Sequence, residues 1–255
     1  MNALGYAMTD SATMLRRSMR HTLRSPDTMI MTVALPVMIL LMFVYVFGGA
    51  MRVSGEYINY VVPGIILLCA GFGAGTTAVS VSTDMTDGII DRFRTMSISR
   101  SAVLTGHVGG SLVRNLVSTG VVMILAVAIG FRPTADPLRW LGAILLIAMF
   151  VVAISWLSVA LGLLAKNPEA ANGFTFFLMF LPYVSSAFVP PETMPTWLHW
   201  VARNQPVTPI IETLRGLLMG TEIGNNAALA VAWCVAIGVA GYVWSAVLFK
   251  QRTVR

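Results

Sequence analysis

The residues best suited to chemistry in this chain are crowded into positions 83–100, where Asp84, Asp87 and Asp91 are followed by Arg92, Arg94 and Arg100. The stretch holds three of the chain's eleven carboxylates although 56% of all residues are hydrophobic. Acid first and base later is the order that complements a helix dipole, and Thr86 or Asp84 stands where an N-cap belongs. Ile89, Ile90, Phe93 and Met96 recur at i, i+1, i+4 and i+7, which leaves an apolar edge flanked by charge. That pattern suits recognition rather than bond making. The edge fits a groove on a partner protein or lies flat on a membrane, and periodicity leaves both open.

Other chemistries are excluded. His21, His107 and His199 are scattered, and no Ser/His, Cys/His or paired-carboxylate set stands at catalytic or metal-ligand spacing within the apolar runs. Cys69 and Cys234 lie inside those runs and read as small packing residues, with no disulfide framework. Lys166 and Lys250 are the only lysines, and neither has a Gly-Lys-Ser/Thr context. A phosphate-binding loop is therefore missing, and the chain is not expected to hydrolyse ATP. The run from Gly71 to Gly75 also fails as a dinucleotide fingerprint, because no glycine stands three residues after Gly73 and no strand precedes it. No cofactor or metal is expected in this chain, and it is not expected to be an enzyme.

The elements that position the charged stretch follow from composition. With 56% hydrophobic and only 11% charged residues, a soluble core of this size cannot hide the apolar surface. Lipid must be the solvent. Six runs are candidates to cross a hydrocarbon core of about 30 Å: residues 28–48, 57–81, 108–130, 140–165, 174–189 and 227–249, the fifth being the shortest. The expected fold is an all-α polytopic membrane protein. Pro36 and Pro63 fall within the first two runs, and Gly71 with Gly75 offers a small face for close helix packing. Arg114 lies well inside the third run, where snorkelling to the interface is favoured over facing a polar bundle interior. No run contains Asp or Glu, which argues against an ion-coupled secondary carrier.

Residues 1–27 are too polar and too arginine-rich for a secretory signal. Ala12, Leu15, Met19 and Leu23 recur at helical spacing with Arg16, Arg17, Arg20 and Arg24 on other faces, the pattern of an interfacial helix, and a solvated basic tail is the bland alternative. Pro26 ends that helix. Arg16, Arg17, Arg20, Arg24, Arg92, Arg94, Arg100, Lys166, Lys250, Arg252 and Arg255 fall on one side of the six runs, against Arg52, Arg132, Arg139, Arg203 and Arg215 on the other. Both termini and positions 83–100 are therefore expected in the cytoplasm. The net charge of +6 is an orientation signal and calls for no nucleic acid. Residues 190–220 are external on this count yet too apolar for an ordinary loop. Pro195 and Pro209 suit first helical turns, with Thr208 as an N-cap, so two short helices in the outer leaflet are expected in place of an irregular loop. Trp197, Leu198 and Val201 line the first; Ile210, Leu214, Leu217 and Leu218 line the second.

Several segments carry a family resemblance: Asp84-Met-Thr-Asp87-Gly88-Ile-Ile-Asp91-Arg92-Phe93-Arg94 with the Ser-Arg-Ser-Ala that follows; Leu181-Pro182-Tyr-Val-Ser185-Ser186-Ala-Phe188-Val-Pro190; Met194-Pro195-Thr-Trp197-Leu198; and Asn204-Gln-Pro206-Val-Thr208-Pro with Arg215. In order and topology the chain resembles the permease subunit of type-2 (ABC-2) ATP-binding-cassette exporters, and most of all the daunorubicin-resistance type from actinobacteria. The resemblance implies six transmembrane helices with both ends inside. It also implies an N-terminal elbow helix in residues 1–27, a transmembrane domain over 28–249, a cytoplasmic coupling helix within 83–100, two re-entrant helices within 190–220, and a cytoplasmic tail at 250–255. The family's coupling motif matches Asp87, Gly88, Asp91 and Arg92, and contact with the ATPase extends to Asp84, Phe93 and Arg94. Asp replaces the commoner Glu at the acidic positions and Ser97 stands where proline is frequent, departures that fit the drug-export subgroup.

The implied assembly pairs this permease with a second copy or a paralogue above two ATPase subunits, which bind ATP and Mg, in the bacterial inner (cytoplasmic) membrane. Phe72, Phe176, Phe180 and Tyr183 are the candidate substrate-pathway residues, beside methionines that repack readily around amphiphiles. Export of a lipid or lipid-linked glycan by the same architecture is the alternative function, and an ion-coupled secondary transporter is a more remote one.

Overall fold

Two proline-capped starts show how local sequence sets the helices. Asp136 accepts a hydrogen bond from the Arg139 backbone N at 2.7 Å, with Pro137 in the first turn; Asn167 does the same for Ala170 at 2.8 Å, ahead of Pro168. The computed structural model describes residues 26–50, 55–88 and 100–253. Among them every regular element is helical. In chain order they are α1 (Pro26–Leu41), running into a π-turn (Met42–Phe47), then α2 (Tyr57–Thr86), α3 (Arg100–Ala128), α4 (Pro137–Leu164) and α5 (Pro168–Phe180). A 3₁₀ turn (Leu181–Val184) and another (Pro191–Thr193) lead to α6 (Thr196–Asn204), α7 (Val207–Met219) and α8 (Asn226–Thr253).

Four described helices, α2, α3, α4 and α8, are long and apolar enough to cross a membrane, while the apolar stretch of the first, Thr32–Phe47, is shorter. The described helices extend beyond several of the expected runs: α2 reaches Thr86 and α3 begins at Arg100. The fifth run is different in kind. Its helix stops at Phe180, gives way to the 3₁₀ turn around Pro182, and reverses at Ser185, whose hydroxyl donates to the Pro182 carbonyl and accepts from Ala187 N. The expected interfacial helix of residues 1–25 lies outside the described residues.

At the centre stands α2. Val61, Val62, Ile65, Ile66 and Cys69 are fully buried, and the helix packs against α1, α3, α4, α5 and α7. A helix apolar on every face belongs in such a position. Glycine decides the closest approaches. A Cβ on Gly64 would sit 2.6 Å from the Ala187 Cβ, and one on Gly241 would sit 2.6 Å from the Leu157 backbone N, so α8 lies directly against α4. The expected pair behaves otherwise: a Cβ on Gly71 meets nothing within 4 Å, and one on Gly75 makes only ordinary contact with Thr175 at 3.5 Å.

Proline inside α1 has a visible remedy. Pro36 has no N–H to offer the Thr32 carbonyl, and the Ser118 hydroxyl of α3 donates to that carbonyl at 3.2 Å. Of the two short helices near the end, α6 keeps Trp197 and Trp200 about 70% exposed, at 73% and 72%, whereas α7 buries Ile210, Ile211, Leu214 and Leu218 completely. The second is thus a core element. It begins one residue ahead of Thr208, which does not cap it; the Thr208 hydroxyl instead donates to the Ala202 carbonyl, stitching α7 to α6. Gly220, at φ 72°, ends α7.

Candidate functional site

The charged stretch enters the structure as the last turn of α2. Thr83 and Asp84 lie inside the helix, Asp87 is its C-cap, and Gly88 follows at φ 65°. The Asp87 N donates to the Thr83 carbonyl at 2.9 Å, and the Gly88 N reaches Met85 O at 3.4 Å. Left-handed backbone costs an L-residue roughly 1–2 kcal/mol, so glycine belongs at this stop. Asp84 and Thr86 therefore complete α2 in place of capping the next helix, and the Thr86 hydroxyl bonds back to Thr83 O at 3.0 Å. Asp91, Arg92, Phe93 and Arg94, with the expected coupling helix, lie outside the described residues.

What fixes this end of α2 is a partner that sequence spacing did not reveal. Asp84 Oδ2 lies 3.2 Å from His107 Nε2 on α3, both side chains mostly covered, at 14% and 13% exposed. Beneath them Val81, Leu104, Val108, Val159, Leu163 and Phe249 form a separate apolar cluster that joins α2, α3, α4 and α8. Asp87 is exposed and Gly88 half-buried. The end thus presents an aspartate and a left-handed glycine on a supported base.

The other end of α2 is tied through an arginine. Arg215 of α7 holds its guanidinium 3.8 Å over the centre of the Tyr60 ring. It donates to Tyr60 O at 3.3 and 3.1 Å, to Ser186 O at 2.8 Å and to Glu212 Oε1 at 2.6 Å. One arginine fork thereby joins α2, α7 and the reversal after α5. The Tyr57 hydroxyl adds a bond to Phe188 O at 2.9 Å.

Between the two ends runs a polar seam. Arg114 turns inward and donates to Thr77 Oγ1 at 3.0 Å, so the favoured snorkel gives way to the bundle-facing alternative. The seam continues on α3 and α4: Ser155 donates to Ser111 Oγ at 2.8 Å, and Asn115 Nδ2 donates to Ser111 O at 2.8 Å. Asn115 fits because Gly73 on α2 leaves room for its side chain.

Of the four candidate pathway residues, three come together. Phe176 meets Phe180 edge-on at 4.9 Å, and Phe180 lies 6.1 Å from Tyr183. The ladder continues where sequence gave no hint, since Tyr183 stacks on Phe188 at 5.1 Å, Phe188 on Phe43 at 4.2 Å, and Phe43 leans on Phe47 at 5.4 Å. Phe176 and Phe180 are about half exposed. Phe72 stands apart on α2, packed against the main core.

Comparison with known proteins identifies the family. A family model described as ABC-2 type transporter covers residues 10–219. The daunorubicin resistance ABC transporter permease protein of Streptomyces coeruleorubidus is 32% identical over 91% of this chain and 82% of its own length. The probable doxorubicin resistance ABC transporter permease protein of Mycobacterium tuberculosis is 23% identical over 93% of this chain and 87% of its own. A putative transport permease of Cyanophora paradoxa is 25% identical over 76% and 69% of the two chains. With a multi-pass helical bundle and a family match over most of its length, the chain belongs to the ABC-2 type transporter family.

Proposed function

We propose that this chain is the membrane-spanning permease subunit of an ATP-driven exporter that moves amphiphilic, drug-like or natural-product molecules out of the cell. The observation that carries the reading is the nearly end-to-end likeness to a daunorubicin resistance permease. The absence of any Gly-Lys-Ser/Thr loop from the sequence agrees with it, since the energy must then come from separate ATPase subunits that bind ATP and Mg. Two ATPases dock beneath a pair of permeases, the second being another copy or a paralogue, in the bacterial inner membrane.

In this reading α1 and α5, with the turn that follows α5, are the first and fifth of six spans, and α6 and α7 are re-entrant helices in the outer leaflet. Both termini are cytoplasmic, and an elbow helix precedes α1. The Thr86 end of α2 faces the ATPases. Asp84, Asp87, Gly88, Asp91, Arg92, Phe93 and Arg94 form the coupling surface.

The lever is α2. When ATP closes the ATPase pair, force on the coupling segment enters α2 at Gly88 and travels up a helix whose other end is clamped by Arg215. A helix held at one end and pushed at the other carries its neighbours as a rigid body, which is how a bundle passes from inward- to outward-facing. The half-exposed Phe176, Phe180 and Tyr183, continued by Phe188 and Phe43, give flat aromatic cargo a surface to slide along. The test is reconstitution into proteoliposomes with the ATPase, following a fluorescent anthracycline. Uptake that requires ATP supports the reading; transport by the permease alone under an ion gradient overturns it.

A further inference from the structure

A cavity of about 260 Å³ opens between α3, α4 and α8, lined by Leu104, Trp156, Tyr242, Ala246, Phe249 and Lys250. It lies away from the aromatic ladder and away from Arg215. Leu104 and Phe249 are buried at its back, while Tyr242, Ala246 and Lys250 are exposed, so it opens on the outer surface of the bundle. Its walls are fixed. Gly241 brings α8 into backbone contact with α4, and Trp156 meets Tyr242 edge-on at 4.9 Å. Tyr242 and Lys250 are eight residues apart, about 12 Å along a helix, so the cavity is elongated parallel to α8.

Its occupant follows from where it opens and what lines it. α3, α4 and α8 are long and apolar enough to cross a membrane, so the solvent at the mouth is lipid acyl chain. Its volume is below the roughly 300 Å³ at which pockets begin to enclose whole drug-sized molecules. An elongated slot of this size suits one hydrocarbon chain. At the end where α8 leaves the membrane, Lys250 supplies a cation, and the sequence continues with Arg252 and Arg255. Basic groups at the rim of an apolar cleft between spanning helices recognise lipid phosphate.

We propose that this cavity is a binding site for an anionic phospholipid, one acyl chain lying against Leu104, Trp156 and Phe249 and the phosphate on Lys250. The bound lipid fills the gap between α3 and α8, and so supports the cluster of Val81, Val108 and Phe249 under the Asp84 end of α2. The site rests on the membrane placement of the bundle and not on the export reading.

The full chain in mixed micelles provides the test, with the Trp156→Phe variant isolating the signal of that ring from the other tryptophans. Phosphatidylglycerol with brominated acyl chains is expected to quench Trp156 at about fivefold lower lipid fraction than brominated phosphatidylcholine. Lys250→Gln removes the preference, and Ala246→Phe, which fills the slot from an exposed position, removes the quenching. Equal quenching by both lipids, or quenching unchanged in both variants, overturns the proposal. Native mass spectrometry adds a second reading: phosphatidylglycerol retained by the chain and lost in Lys250→Gln supports it, whereas its displacement by an equimolar cationic aromatic amphiphile makes the cavity a cargo site and overturns it. Neither ATP nor an ATPase enters these assays, so failure here leaves the export reading standing.

Discussion

The two ends of α2 are built on opposite plans. At the Tyr57 end, Arg215 makes charge-assisted bonds to two carbonyls and one carboxylate, Tyr57 adds another bond, and Gly64 lets the reversal after α5 press against the helix. At the Thr86 end, an acid–imidazole pair, Asp84 with His107, and helix-capping bonds lead to a left-handed glycine beside an exposed aspartate. In the proposed export cycle the Tyr57 end, held by the planar arginine, is the pivot, and the Gly88 end is the part that the ATPase moves.

The sharpest way to break this comparison is Arg215→Ala. Removing the fork takes the guanidinium from Tyr60 O and Ser186 O and the Arg215 cation from Glu212, which costs about 3 kcal/mol or more. Asp84→Ala at the other end is expected to cost about 1 kcal/mol. Denaturant titration in mixed micelles reads both, and equal losses would erase the distinction between pivot and handle. Arg215→Lys keeps the charge without the planar fork and falls between wild type and alanine.

Next in size is the pair Gly64→Ala and Gly71→Ala, two changes of the same chemistry on one helix. The first drives a methyl into Ala187 and costs about 1–3 kcal/mol. The second meets open space and gains helix propensity of up to about 1 kcal/mol. Thermal unfolding should therefore move in opposite directions. Tyr57→Phe, which deletes only the hydroxyl bond to Phe188 O, is worth about 1 kcal/mol by the same measurement.

The smallest effect belongs to a pair that touches neither end. Glu192 accepts from Arg203 at 2.7 Å, and that hydrogen bond holds its carboxyl below the usual glutamate range. A lowered folded-state pKa means that the stabilisation is complete above the ordinary glutamate range and is lost as pH falls through the depressed value. Both side chains are 57% exposed, so solvent screens the pair to well under about 1 kcal/mol. Glu192→Gln should leave the unfolding midpoint at neutral pH within error.

Much of this was legible in the sequence because lipid simplifies the code. Apolar runs of fixed length located the helices, and Asp136-Pro137 and Asn167-Pro168 announced two of their starts. Positions 84–88 are legible as unusual, but Asp84 and Thr86 do not cap a following helix: they are good caps by type, yet apolar packing of Val81 and Met85 carries α2 past them. The fifth run was legible as apolar and not as broken, since the reversal depends on Pro182 and Ser185 acting together. The inward turn of Arg114 has no signal along the chain because Thr77, to which it donates, is on another helix. For the same reason the Arg215–Tyr60 contact and the Phe188–Phe43 link carry no local signal: each joins residues more than a hundred positions apart in the chain.

The central claim, that α2 is moved from its Gly88 end by an ATPase, is tested most directly by Gly88→Val and Asp91→Ala in the reconstituted complex. The account predicts that both variants insert and assemble with the ATPase as wild type does, yet lose cargo-stimulated ATP hydrolysis and ATP-dependent export together, by tenfold or more. Full stimulation and export in both variants, in complexes of normal composition, would contradict it.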